Sequence, residues 1–201
     1  SLPQEKGRIT LAHLTTFFIS QKGYFHPDEQ KMLAPFHSVS VQQIKVIIVG
    51  HFPYPKAQHT TGLPFSNPRN YPMALSVQNI FKSIINDLGG KMPVHGSLEH
   101  LPVQGVFLLN RKFTTSYPYK TFPKGHTGVG WENFSAAIIY LLSKKLDNAV
   151  FLLWGVSAGE AKRWIEKRHL TLRSNHPSYS PKNGENPFLN CKTKGPIFIY
   201  K

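Results

Sequence analysis

Three stretches of this chain set polar side chains directly after apolar runs, and these are the residues that could do chemistry. Val46-Ile47-Ile48-Val49 leads into Gly50-His51-Phe52-Pro53-Tyr54, Gly105 to Leu109 leads into Asn110, and the short segment Leu170 to Ser174 leads into His176-Pro177-Ser178. An imidazole donates hydrogen bonds and changes charge near neutral pH. A carboxamide carries both a donor and an acceptor, so it can read a polar edge. Each residue also has a plainer use, because a strand-end Asn caps turns and His before Pro is ordinary turn chemistry. Their position argues for more, since ligands of open α/β sheets sit outside the carboxyl ends of the strands.

The elements that must hold these residues follow from periodicity. Residues 46–49, 105–110 and 149–154 are apolar runs bounded by glycine or Asn, the pattern of buried, parallel strands, and 170–174 reads as a fourth, shorter one. Helical spacing falls at 76–88, with Ser76 as cap and Val77, Ile80, Phe81, Ile84 and Leu88 on one face. It recurs at 131–146, with Phe134, Ile138, Ile139, Leu141 and Leu142 inward, and at 158–166. Upstream, Ile9, Leu11, Leu14, Phe17 and Phe18 predict a helix over 8–20, and Pro27-Asp28 opens a second short one. Pro53, Pro55, Gly62, Pro64, Pro68 and Pro72 make 53–72 a long irregular loop, and 182–196 is a polar one. Alternating strands and helices predict a three-layer α/β/α fold around a central, mainly parallel four-stranded sheet. One domain over 1–201 is expected, with 1–32 as its N-terminal helical segment.

Composition narrows the partners. At 201 residues and 40% hydrophobic content, the chain can bury a sizeable core. No run of eighteen apolar residues and no leader pattern occurs, so neither a membrane partner nor secretion is expected. Cys191 is the only cysteine, which excludes a disulfide framework and a cysteine zinc site; no metal and no cofactor is called for. Twenty-four Lys and Arg against ten Asp and Glu give +14, a balance that favours phosphate backbones through counterion release. Acidic proteins attract the same charge, and the cations are dispersed, with only short pairs such as Arg111-Lys112 and Lys144-Lys145.

Five segments in chain order resemble the first family of uracil-DNA glycosylases: Gly62-Leu63-Pro64-Phe65-Ser66, Leu108-Leu109-Asn110, Gly130-Trp131-Glu132-Asn133-Phe134, Val150 to Gly155, and His176-Pro177-Ser178. The resemblance covers roughly residues 33–200 and implies an enzyme that flips a base out of DNA into a pocket. It implies that Asn110 reads uracil O4 and N3–H, that Phe65 stacks on the ring, and that Tyr54 closes the space a thymine methyl would need. His176 would be the electrophile that donates to uracil O2, and Ser66 and Ser178 would contact phosphates. The implied partner is DNA, single- or double-stranded and uracil-containing, bound by a monomer in the nucleus or another DNA-containing intracellular compartment.

The chain departs from that pattern where water would be activated. The family loop reads Gly-Gln-Asp-Pro-Tyr-His, whereas here His51, Phe52 and Pro55 replace Gln, Asp and His. Phe52 therefore occupies the place of the catalytic carboxylate, and the chain's three Asp, Asp28, Asp87 and Asp147, lie outside every motif. His51 is a candidate for positioning water as a neutral base, with donation to backbone as its plainer use. The family's minor-groove wedge, Pro-Leu, is replaced by Tyr179 and Ser180, of which Tyr179 could stack in the vacated space. Val156 stands where the family has Ser. On these losses the sequence leans towards a catalytically impaired or inactive homologue that binds DNA, a flipped base or a protein. The alternative is an active glycosylase of base excision repair with a non-standard water-activating loop. A protein adaptor, using its charge on an acidic partner, is a third reading.

Overall fold

Four five-residue strands, β1 (Val46–Gly50), β2 (Val106–Asn110), β3 (Val150–Trp154) and β4 (Leu170–Ser174), form one sheet in the order β2-β1-β3-β4. Every pairing is parallel, and Gly50 at the carboxyl end of β1 lies opposite Asn110 at the carboxyl end of the edge strand β2. The computed structural model describes residues 14, 16, 25–116, 126–179 and 186–189. β1 and β2 are buried at all five positions, as expected of strands covered on both faces.

The two-residue period of the strands divides their side chains between two cores. Ile47, Val49, Phe107, Leu109, Phe151 and Leu153 point to one face, where Trp131, Ile139 and Leu142 of α4 (Trp131–Lys145) meet them. Val46, Ile48, Val106, Leu108, Leu152 and Trp154 point to the other, against Val77, Ile80 and Phe81 of α3 (Leu75–Leu88). The result is a three-layer α/β/α fold. Two short helices, α1 (Glu29–Met32) and α2 (Ala34–Ser38), precede β1. Asp28 caps α1, accepting from the Lys31 amide at 3.0 Å, where the Pro27-Asp28 signal put a helix start.

Several details differ from the sequence expectation. Ser76 does not cap α3; Ala74 holds that position without a side-chain bond, and Ser76 sits buried in the first turn. Leu141 faces outward, because it lies a third of a turn beyond the buried stripe of Ile139 and Leu142. The helix expected over 158–166 is instead α5 (Val156–Gly159) followed by a tighter 3-10 segment, Glu160–Trp164. Gly159, a poor helix former, lies there under the Arg173 guanidinium, with room for no side chain of its own. Of the predicted 8–20 helix only Leu14 and Thr16 are described, both helical, with Leu14 in the first core. Ser180, Glu185 and Cys191 lie outside the described residues, as does most of 182–196; Phe188 packs edge-on against Trp154.

The Gly-Trp-Glu-x-Phe segment is a packing device. Trp131 stacks on Phe113 at 4.7 Å and donates its indole N–H to the Thr114 hydroxyl at 2.7 Å, and Thr114 in turn bonds His126 Nδ1 at 2.9 Å. This fixes the chain leaving β2. Among the described residues no helix is long and apolar enough to cross a membrane. Leu153, fully buried between β1, α4 and α5, should lose about 3 kcal/mol on Leu153→Ala. Val103→Ala, at an 85% exposed position, should stay within about 0.5 kcal/mol of wild type, both read by urea unfolding.

Candidate active site

The pocket is built around an absent side chain. A Cβ placed on Gly50 would lie 2.6 Å from Asn110 Oδ1 and 2.7 Å from Phe65 Cζ, so only glycine lets the Asn110 amide and the Phe65 ring converge over the end of β1. Phe65 itself is held at φ 64, a left-handed conformation that costs a bulky residue on the order of 1–3 kcal/mol. The surroundings enforce it. The Tyr54 hydroxyl donates to the Phe65 carbonyl at 2.7 Å and accepts from the Ser76 hydroxyl at 2.7 Å, and Trp154 meets the Phe65 ring edge-on at 5.2 Å. Burial raises the Tyr54 pKa far above its ordinary value, so the phenol stays neutral.

Tyr54, Phe65 and Asn110 line one cavity with Pro27, Pro53 and Leu63. Asn110 is 7% exposed, yet its side-chain amide has no partner among the described residues. Its donor and acceptor are therefore open to whatever enters the cavity. Pro27 is a wall residue that sequence reading missed, because the motif resemblance begins only at residue 33. Its strap is tied down by reciprocal 2.9 Å backbone bonds between His26 and Thr115, and Gly62 packs directly on the Lys31 carbonyl.

His176 closes another side, its ring 5.6 Å from that of Phe65. The Ser178 amide donates to His176 Nδ1 at 3.2 Å and its hydroxyl lies 2.8 Å from the same atom. Nδ1 therefore carries no hydrogen, and Nε2 must be the N–H. Burial lowers the His176 pKa to about 4, which keeps the ring neutral at physiological pH. The loop is anchored where Pro177 offers its carbonyl to Asn79 Nδ2 at 2.8 Å and Asn186 Nδ2 at 2.9 Å. Tyr179 is half exposed and Val156 is 84% exposed, and a Cβ on Gly155, between Trp154 and Val156, would lie 3.2 Å from His176 Cβ.

On the His51 side the structure corrects the sequence reading. Among the described residues His51 donates to no backbone carbonyl; its Nε2 accepts from the Lys112 ammonium at 3.0 Å. Its pKa falls to about 4, first through burial and then through the charges of Lys112, His176 and Arg111, so it is neutral but far from a working base near pH 7. Phe52 is half-buried, its ring 4.5 Å from that of His51. Lys112 and Arg111, read in the sequence as dispersed surface charge, are both buried: Lys112 also faces Glu132 at 3.7 Å, and Arg111 bonds Ser135 at 2.7 Å. Ser66, which the resemblance gave a phosphate contact, is instead a buried residue of the cavity lining. It is fully buried, its hydroxyl accepting from the Leu98 amide at 3.0 Å and its amide donating to Leu63 at 3.2 Å.

A buried amide, an aromatic wall and a neutral imidazole donor at the carboxyl ends of a parallel sheet make this an α/β protein suited to a flat ring with a polar edge. Known proteins narrow that class. No protein-family model matches the chain. It is 35% identical to uracil-DNA glycosylase 1 of Bacteroides fragilis, over 95% of this chain and 86% of the relative. It is 38% identical to the uracil-DNA glycosylase of Borrelia hermsii, over 82% and 74%. Against the enzyme of human herpesvirus 7 the identity is 39%, over 83% and 65%. Among solved structures, a mimivirus UNG variant in complex with UGI superposes with a TM-score of 0.73 at 29% identity, covering 80% of this chain and 60% of that one. The UNG of Nitratifractor salsuginis shares the fold, with a TM-score of 0.62 at 16% identity over 94% and 91%. The chain belongs to the uracil-DNA glycosylase family.

Gly50→Ala should displace Asn110 or Phe65 and weaken binding of a uracil-containing oligonucleotide at least tenfold by fluorescence anisotropy, with little change in the far-ultraviolet spectrum. The histidines also predict a pH dependence of stability. His51, His126 and His176 have folded pKa values near 4, chiefly through burial, against an ordinary 6.5. The unfolded chain therefore takes up protons first as pH falls. Stability should be fully present above pH 6.5 and decline between 6.5 and 4, seen as a falling thermal midpoint whose slope is smaller in His126→Gln.

Proposed function

We propose that this chain is a uracil-DNA glycosylase that retains the base-binding half of its site and works slowly because its water-activating half is altered. The observation that carries the reading is the buried Asn110 amide, unpartnered beneath Phe65 and Tyr54, with the neutral His176 Nε2–H alongside. A flipped uracil would stack on Phe65 and offer its O4 and N3–H to Asn110, while Tyr54 fills the space beside C5. His176 would donate to O2, where negative charge gathers as the N-glycosidic bond breaks. A neutral imidazole suits this role, since it stabilises the leaving base without first having to hold a proton against burial.

The water side lacks its usual aid. Phe52 can neither hold a water nor face a cationic sugar, and the His51 Nε2 lone pair is occupied by Lys112. A non-catalytic module that binds a flipped base is the second reading, and Phe52 is what favours it. The relatives, named as glycosylases at 35–39% identity over most of the chain, favour the enzyme. DNA is the partner in both readings, met by a surface of net charge +14 and, at the rim, by Ser178 and Tyr179. That a mimivirus relative forms a complex with UGI supports a protein partner as well.

Single-turnover release of uracil from an oligonucleotide decides between them. Slow release that drops a further hundred- to a thousandfold, roughly, in His176→Ala, and that rises in Phe52→Asp, is the expected result. Uracil-dependent binding with no release by the wild type or by Phe52→Asp would establish the module instead.

A further inference from the structure

We infer that Lys112 determines what the sugar side of the pocket accepts: the site favours a base-pocket ligand joined to a neutral sugar and disfavours a cationic one. The inference rests on the base-binding reading above and adds a specificity-determining residue to it.

Lys112 follows Asn110 by two residues, and its amide donates to the His51 carbonyl at 2.9 Å, so its backbone is fixed to the loop that borders the pocket. Its side chain is 6% exposed, and the ammonium donates to His51 Nε2 at 3.0 Å. Because Nε2 accepts, the hydrogen of the neutral ring is on Nδ1, and His51 can present only a donor to whatever lies beyond it. Arg111 adds a second buried cation, its guanidinium lying over Trp164 at 4.8 Å. The cavity-lining residues include no carboxylate. Glu132 faces the ammonium at 3.7 Å, and Lys112 and Arg111 both depress the His51 pKa, so the charge felt on the loop is positive.

A fixed positive charge behind His51, partly screened by Glu132, would bias a ligand on that side towards neutral over cationic by roughly tenfold. The same charge opposes any route that builds positive charge on the sugar, while leaving the contacts of Asn110, Phe65 and His176 to the base unchanged. Where the family has an anion, this chain has a cation acting through an imidazole.

The test uses the full chain and duplex oligonucleotides bearing either a tetrahydrofuran abasic site, which is neutral, or a pyrrolidine abasic site, which is protonated, each with free uracil present. Fluorescence anisotropy gives the ratio of the two affinities. Wild type should bind the neutral site about tenfold more tightly. Lys112→Met should bring the ratio near one, and Lys112→Arg, which keeps the charge, should preserve it. Equal or tighter binding of the pyrrolidine site by wild type overturns the inference, as does an unchanged ratio in folded Lys112→Met. Should that variant not fold, Lys112→Gln and the wild-type ratio decide. Failure to bind either abasic duplex overturns the base-binding reading, and this inference with it.

Discussion

The functional end of the molecule depends on the missing side chain of Gly50. Parallel pairing sets Gly50 at the end of β1 beside Asn110 at the end of β2, and without a Cβ there the carboxamide and the Phe65 ring share one small volume. Much else supports that contact. The positive φ of Phe65 is tolerable because Tyr54 grips its carbonyl and Trp154 flanks its ring, and Tyr54 is in turn held by Ser76 at the start of α3. The loop from 53 to 72 needs no regular structure of its own. Asn67, fully buried, ties it together by donating to His59, accepting from Ala74 and pairing its amide with Gly96. The two core layers thus end in a pocket whose walls are hydrogen-bonded to one another rather than merely packed.

Burial then fixes the charge states. A histidine under apolar surroundings loses its proton readily, and three of the buried imidazoles have values near 4. For His176 this neutrality is directed, because Ser178 occupies Nδ1 and leaves the N–H on Nε2. The anchor on Pro177 from Asn79, across 98 residues of sequence, makes the tautomer a property of the whole fold rather than of a turn. The same burial acts differently at His51, where the partner is an ammonium rather than a hydroxyl. Two neutral imidazoles near one pocket therefore have opposite functions: one is a free donor, and the other has its Nε2 lone pair taken.

Three of the strands were readable in the sequence as apolar runs closed by glycine or Asn, and their alternation with helical spacing was enough to predict three layers; β4, with Thr171, Arg173 and Ser174, carries a weaker signal. Asn110, Phe65, Tyr54 and His176 were readable through motifs, and the structure brings them together as those motifs suggested. What stayed hidden depends on side-chain direction. Ser66 and Ser178 look alike in sequence, but one is sealed behind Leu98 and the other is exposed and bonded to His176. Arg111 and Lys112 look like surface charge, since lysine and arginine are almost never buried unless paired. Their partners, Ser135, Trp164, Glu132 and His51, come from three other elements, so no local pattern could announce them. Pro27 was missed for a similar reason, since a strap far upstream forms part of the cavity wall through pairing with Thr115.

These contacts give the replacement of Asp by Phe52 a different meaning. A lost carboxylate alone would leave a vacancy that water could fill. Here the neighbourhood is rebuilt around the loss: Phe52 packs on His51, His51 bonds Lys112, and Lys112 is balanced on its far side by Glu132. A carboxylate returned to position 52 would meet an ammonium one imidazole away, and some of its charge would be spent on that ammonium rather than on the sugar. On the proposed reading the leaving-base side and the water side of the pocket are separable because their partners differ: Ser76 and Ser178 hold Tyr54 and His176, whereas Lys112 and Glu132 hold His51. On the same reading, recognition of the base persists while the barrier to cutting is set separately, by the sign of the charge held behind His51.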